Sequence, residues 1–180
     1  MLYMFLADGF EEIEALATLD IIRRADIDIE TVGVTGSVVI GAHKISVSAD
    51  IDINEVTTND LAGIILPGGL PGTTNLQNST KVCEFTEFAN SQGLLVSAIC
   101  AAPSILGGLG ILRGKKATCY PGFEDKLTGA DCSQDYVVCD GNVITGKGAG
   151  AAIDFGLKIV EYFKGSQVSD ELRKAMQCAR

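Results

Sequence analysis

The chain has no tryptophan, only four prolines and a single histidine, His43. One imidazole cannot build the His-rich ligand sets of zinc enzymes, and none of the six cysteines falls in a Cys-x-x-Cys pair. No metal site is therefore expected. Basic residues are scarce: the longest runs are Arg23-Arg24 and Lys115-Lys116, against a formal net charge of -9. Nucleic acid and anionic membrane surfaces both select a basic stripe, so neither fits as a partner. No apolar run reaches membrane-spanning length. The apolar opening from Met1 to Ala7 lacks a basic flank and stops at Asp8, so it reads as a first strand and not an export signal. A cytoplasmic location with reduced thiols is the expectation, in place of three disulfides.

What is present describes one compact domain over residues 1–180, with 47% apolar and 21% charged residues and no repeat or low-complexity stretch. The pattern predicts a buried strand over 2–7. Asp8-Gly9-Phe10-Glu11 reads as an N-cap with a reciprocal acid, opening a helix to about Arg24. Further strands are predicted over 28–34, 63–66 and 94–99, and hairpins over 38–47 and 136–145. Helices are predicted over 79–92, from Ala101, over 149–163 and near the end of the chain. Strands alternating with helices imply a mostly parallel sheet covered on both faces, which gathers ligands at the carboxyl ends of its strands. Gly9, Gly68-Gly69, Cys100 and Tyr120-Pro121 all fall at that edge.

Cys100 stands between the most apolar strand and a run of small residues, Ala101-Ala102-Pro103. Such a strand-to-helix turn exposes a nucleophile above a sheet, and a helix N-terminus favours the thiolate. The flanking glycines of the stricter hydrolase pattern are missing, so spacing alone leaves Cys100 open as nucleophile or core cysteine. Cys83, Cys119, Cys132, Cys139 and Cys178 lack such a setting. Gly146-Lys147-Gly148-Ala149-Gly150-Ala151 spells a dinucleotide-binding pattern, but no βαβ continuation with its ribose-binding acid has room after it. Close backbone packing is the reading there, and no cofactor is expected.

Four stretches together resemble the ThiJ/PfpI family, the superfamily of the Parkinsonism-associated protein deglycase, in its small bacterial form. They are Asp8-Gly9-Phe10-Glu11-Glu12-Ile13-Glu14, Leu66-Pro67-Gly68-Gly69, Ala98-Ile99-Cys100-Ala101-Ala102-Pro103, and Gly146–Gly150 with Ala152-Ile153-Asp154-Phe155-Gly156. The resemblance implies a flavodoxin-like, doubly wound α/β fold of the class I glutamine amidotransferase type, and a homodimer. It makes Cys100 the reactive cysteine and Glu14 its acidic partner, with Gly69 and Ala101 as oxyanion-hole amides. Without it, Glu14 would pass for one of three acids complementing a helix N-terminus.

One position departs from the family. Many members carry a histidine in the stretch matching Thr118-Cys119-Tyr120-Pro121, where this chain has Tyr120. A Cys–His dyad and peptidase activity are therefore not expected. His43 reads as a surface residue of the hairpin; in family dimers that region approaches the neighbouring site, so it is also an accessory candidate. Arg24 is a second such candidate, or else an ion-pair residue. The family implies a cofactor-free, cysteine-dependent enzyme of glyoxalase III or deglycase type, acting on methylglyoxal or early glycation adducts. The alternative is a non-enzymatic oxidative-stress sensor or redox chaperone working through oxidation of Cys100.

Overall fold

The computed structural model describes residues 1–178. The chain runs β1 (Leu2–Leu6), α1 (Glu12–Arg24), β2 (Ile29–Gly33), β3 (Val38–Ile40), β4 (Ser46–Ser48), β5 (Ile51–Asp52) and β6 (Gly63–Leu66). It continues through α2 (Gly72–Asn78), α3 (Thr80–Ser91), β7 (Leu95–Ile99), α4 (Pro103–Gly108), β8 (Lys116–Ala117) and β9 (Asp131–Cys132). It closes with β10 (Val137–Asp140), β11 (Val143–Gly146), α5 (Ala152–Lys164) and α6 (Ser166–Ala175).

The main sheet has the order β10-β11-β7-β6-β1-β2-β5, parallel throughout except for the β10–β11 hairpin. Its architecture is the flavodoxin-like, class I glutamine amidotransferase-like α/β fold. Period-two alternation in β1 divides its side chains between two cores. Tyr3 and Phe5 join Ile64, Leu66, Val96 and the α3 residues Val82 and Phe85 on one face. Leu2, Met4 and Leu6 join Ile65, Ile99, the α1 residues Leu19 and Ile22, and the α5 residues Phe155 and Ile159 on the other. All five β1 residues are buried, as expected of a central parallel strand covered on both faces.

From β1 the chain goes outward to β2 on one side, and β6 then joins on the other. The switch point between β1 and β6 opens a crevice at the strand ends, the usual ligand position in such sheets. The loops after β1, β6 and β7 all arrive there.

Three local expectations are corrected. Helix α1 begins at Glu12, with Glu11 and not Asp8 at the cap. The N–H groups of Gly9, Phe10 and Glu11 are committed to Ile40 O, Ala7 O and Gly68 O, and the Asp8 carboxylate accepts from the Ile40 N–H at 2.8 Å. Asp8 thus fastens the β3–β4 hairpin instead of capping. Cys100 to Ala102 form a turn, and α4 starts only at Pro103, where proline's fixed φ suits a first helical turn. The last long helix opens with a 3-10 turn, Ala149–Ala151. Ser79 does cap α3, accepting from the Val82 N–H.

Candidate active site

The site rests on a strained residue. Cys100 has φ +67°, a left-handed conformation costing a non-glycine residue about 1–2 kcal/mol. Its surroundings hold it there. The Cys100 N–H donates to Gly146 O at 2.9 Å and its carbonyl accepts from the Tyr120 N–H at 2.8 Å. Strain retained in this way clusters at functional sites, and it turns the thiol out of the strand toward the loop after β6.

That loop can come close only because it lacks side chains. A Cβ on Gly68 would lie 2.6 Å from both Cys100 Cβ and Glu14 Oε2, and one on Gly69 would lie 2.4 Å from Glu11 N. Gly69 also has φ +90°, which glycine alone adopts freely. Gly68 is gripped from both ends: its carbonyl accepts from the Glu11 N–H at 2.9 Å, and its N–H donates to Glu14 Oε2 at 2.8 Å.

Glu14 stands on the first turn of α1 with 1% of its surface exposed. Burial raises its carboxyl to about 7, helped by the Glu11 carboxylate and opposed by hydrogen bonds from Cys100 and the Gly68 N–H. Its other oxygen, Oε1, is buried without a conventional hydrogen-bond partner, leaving the carboxyl only partly satisfied. Burial and the Glu14 carboxylate in turn push the Cys100 thiol up to about 12, while the N–H groups of Ala101 and Gly69 pull it down.

The two groups titrate as a pair. The first proton leaves near 7 and the second near 12. Between those limits the charge rests mainly on the Glu14 carboxylate and the proton on the Cys100 thiol, which corrects the expectation that the sulfur is ionised at neutral pH; the thiolate forms when that proton passes to Glu14. With the charge on sulfur, the Gly69 and Ala101 amides and the Glu14 carboxylic acid all donate to it. The expected helix terminus is absent too: α4 begins three residues beyond Cys100, and the influences that lower the thiol are the Ala101 and Gly69 N–H groups.

The remaining candidates lie further out. The His43 ring sits 2.9 Å from Glu12 Oε2 and 3.6 Å from Glu11 Oε2, and its imidazole is raised by the Glu12 hydrogen bond and by both acids. Glu12 is buried, yet the bonds from His43 and the Ile45 N–H hold its carboxyl below the usual range. Within one chain, then, His43 is tied to Glu12 and not to Cys100. Glu11, Glu12 and His43 bring ligand atoms within 4.8 Å of one another, a grouping that spacing along the sequence does not reveal. Arg24 lies at the far end of α1 from Glu14 and pairs with Asp20 at 2.6 Å. Tyr120 reaches Cys100 through its backbone, while its half-exposed ring packs over Gly148.

The model of the DJ-1/PfpI family matches residues 1–162. The chain belongs to the DJ-1/PfpI family. It is 37% identical over 177 residues to Protein DJ-1alpha of Drosophila melanogaster, covering 96% of this chain and 82% of that protein. It is 33% identical over 172 residues to the Glutathione-independent glyoxalase DJR-1.2 of Caenorhabditis elegans, covering 94% of this chain and 91% of that one. The chain spans only 44% and 39% of the length of the Arabidopsis thaliana relatives DJ-1 homolog A and DJ-1 homolog B. Among solved structures, a cysteine-to-alanine mutant of a DJ-1 superfamily protein from Salmonella typhimurium superposes with TM-score 0.94 and 32% identity, over 99% of this chain and 98% of that one. Oxidized Toxoplasma gondii DJ-1 superposes with TM-score 0.95 and 29% identity, over 99% and 98%. No helix among the described residues is long and apolar enough to cross a membrane.

Proposed function

We propose that this DJ-1/PfpI family member is a cofactor-free, cysteine-dependent enzyme of the glyoxalase type, converting methylglyoxal to lactate or acting on early glycation adducts. The observation that carries this is the Cys100 thiol on a left-handed turn, facing the raised Glu14 carboxyl and the Gly69 and Ala101 amides. A relative named as a glutathione-independent glyoxalase points the same way.

The chemistry follows from passage of the Cys100 thiol proton to the Glu14 carboxylate. Cys100 sulfur adds to the aldehyde carbon, and the carbonyl π electrons move to oxygen, where Glu14 or the two amides meet the new charge. The resulting hemithioacetal carbon then gives its proton to the Glu14 carboxylate, the same proton returns to the neighbouring carbon, and the hemithioacetal hydroxyl proton passes to the neighbouring oxygen, which leaves a thioester beside a hydroxyl. A carboxyl near 7 is well matched to both directions of transfer at neutral pH. One carbon is thereby oxidised and its neighbour reduced, so no external oxidant is required. Water hydrolyses the thioester, releasing the hydroxy acid and restoring the thiol. Tyr120 cannot replace the histidine of other members as a base, so modest rates and no peptidase activity are expected.

A turnover assay of wild type, Cys100→Ser and Glu14→Gln with methylglyoxal tests this reading. Lactate formation should be lost in Cys100→Ser and fall by at least about 100-fold in Glu14→Gln. Equal turnover by Cys100→Ser and wild type refutes it.

The second reading is a redox sensor, for which the same carboxyl is the supporting observation. A protonated Glu14 can donate a hydrogen bond to a sulfinate formed on Cys100. Mild peroxide followed by peptide mass analysis separates the two, because a sensor requires Cys100 to oxidise ahead of Cys139. We also take the working unit to be a cytoplasmic homodimer. The exposed apolar residues Ile13 and Ile45 lie beside His43, and Val38 and Ile40 are exposed on the β3–β4 hairpin; all four would be covered by a second copy.

A further inference from the structure

We propose that Glu11, Glu12 and His43 form a binding site for a divalent transition ion of the zinc type, distinct from Cys100 and Glu14 and independent of the enzymatic reading above. Composition argues against a metal, because one imidazole cannot make a His-rich ligand set. The fold answers that shortage by bringing two carboxylates of the α1 start to the one imidazole of the β3–β4 hairpin.

The distances suit a metal. His43 Nδ1 stands 2.9 Å from Glu12 Oε2 and 3.6 Å from Glu11 Oε2. An ion about 2.1 Å from its ligands would see the first pair about 90° apart and the second about 120° apart. Those angles fit a four- or five-coordinate ion that keeps water in its other positions.

Glu12 separates this group from a chance cluster of surface acids. Only 4% of its surface is exposed. Its Oε1 accepts from the His43 N–H at 2.8 Å and the Ile45 N–H at 3.4 Å, which leaves Oε2 turned to the imidazole. A carboxylate fixed through one oxygen and offering the other is the support that metal ligands depend on. Gly41 makes room for it, since a Cβ there would overlap the Glu12 carboxylate. Beside the ring, a hollow of about 250 Å³ is lined by the same three residues with Ile13 and Ile45, space enough for bound water. Charge favours the exchange as well. Two carboxylates against one imidazolium leave a negative charge uncancelled, whereas a divalent ion with the neutral ring cancels both, and the Nδ1 proton leaves to solvent. An imidazole nitrogen selects zinc-like ions over magnesium and calcium, which take oxygen ligands.

Wild type, His43→Ala and Glu11→Gln, each stripped with chelator, are titrated with Zn²⁺ by calorimetry, and the His43 ring signals are followed by NMR. Zinc held by cysteines is common to all three proteins, so the difference between them belongs to this site. Wild type should bind one equivalent more than His43→Ala, and Glu11→Gln should bind that equivalent at least about tenfold more weakly. Zn²⁺ should move the wild-type ring signals, and Mg²⁺ at the same concentration should leave them in place. Equal zinc uptake by wild type and His43→Ala overturns the site, as do ring signals that Zn²⁺ leaves unmoved or that Mg²⁺ moves as far. Should His43→Ala fail to fold, the wild-type ring signals decide alone.

Discussion

Replacing Glu14 by glutamine removes a charge while leaving an oxygen to accept the Gly68 N–H, so the two proteins should differ chiefly in how stability depends on pH. Burial lifts the carboxyl from 4.5 to about 7 in the folded chain. A raised carboxyl means that the native state binds more protons than the unfolded state across that interval, so stability falls as pH rises through it. The rise corresponds to about 3 kcal/mol, with little screening to discount because the residue is almost wholly enclosed. At about pH 4 both proteins carry a neutral group here; by about pH 8 only wild type must bury a charge or hold a proton against the solution. Urea unfolding at the two pH values, taken as variant minus wild type so that other carboxylates cancel, should show glutamine gaining about 3 kcal/mol between them. A difference that stays constant with pH refutes the claim that Glu14 is held protonated by its surroundings.

Glu12→Gln should lower the His43 pKa toward its ordinary value, because the hydrogen bond from Glu12 is the main cause of its elevation; the lone imidazole makes NMR titration unambiguous. Gly68→Ala should cost about 1–3 kcal/mol and abolish Cys100 reactivity, since its new methyl would overlap both Cys100 and Glu14. Thermal unfolding and thiol alkylation check both parts, and an alanine variant of wild-type stability contradicts the packing argument. Sedimentation should give about twice the chain mass of 18.9 kDa, falling toward a single chain when Ile13 and Ile45 are both changed to aspartate; a wild-type monomer rules out the dimer.

Much of this frame is readable from residue pattern. Apolar runs bounded by Gly and Pro mark β6 and β7 closely, and their placement brings Gly68-Gly69 and Cys100 to one edge. Other features depend on contacts that no local pattern encodes. Asp8 followed by Glu11 looks like a capping box, but Ile40 captures that carboxylate from 32 residues away. The Glu12–His43 bond spans 31 residues, and its only local trace is the paired acid in a motif already singled out. Helix α2 is polar and opens at Gly72 without an acidic first turn, so periodicity passes over it. The start of α4 is hidden for a local reason, because small residues after Cys100 suit a tight turn as well as a helix.

The most direct test of a proton shared between Glu14 and Cys100 is the pH profile of Cys100 alkylation by iodoacetamide, followed site by site with mass spectrometry. Wild-type Cys100 should gain reactivity through about 7 and then level off, and Glu14→Gln should lose that inflection. A wild-type profile that instead tracks exposed Cys139, or one that Glu14→Gln leaves unaltered, would contradict the account.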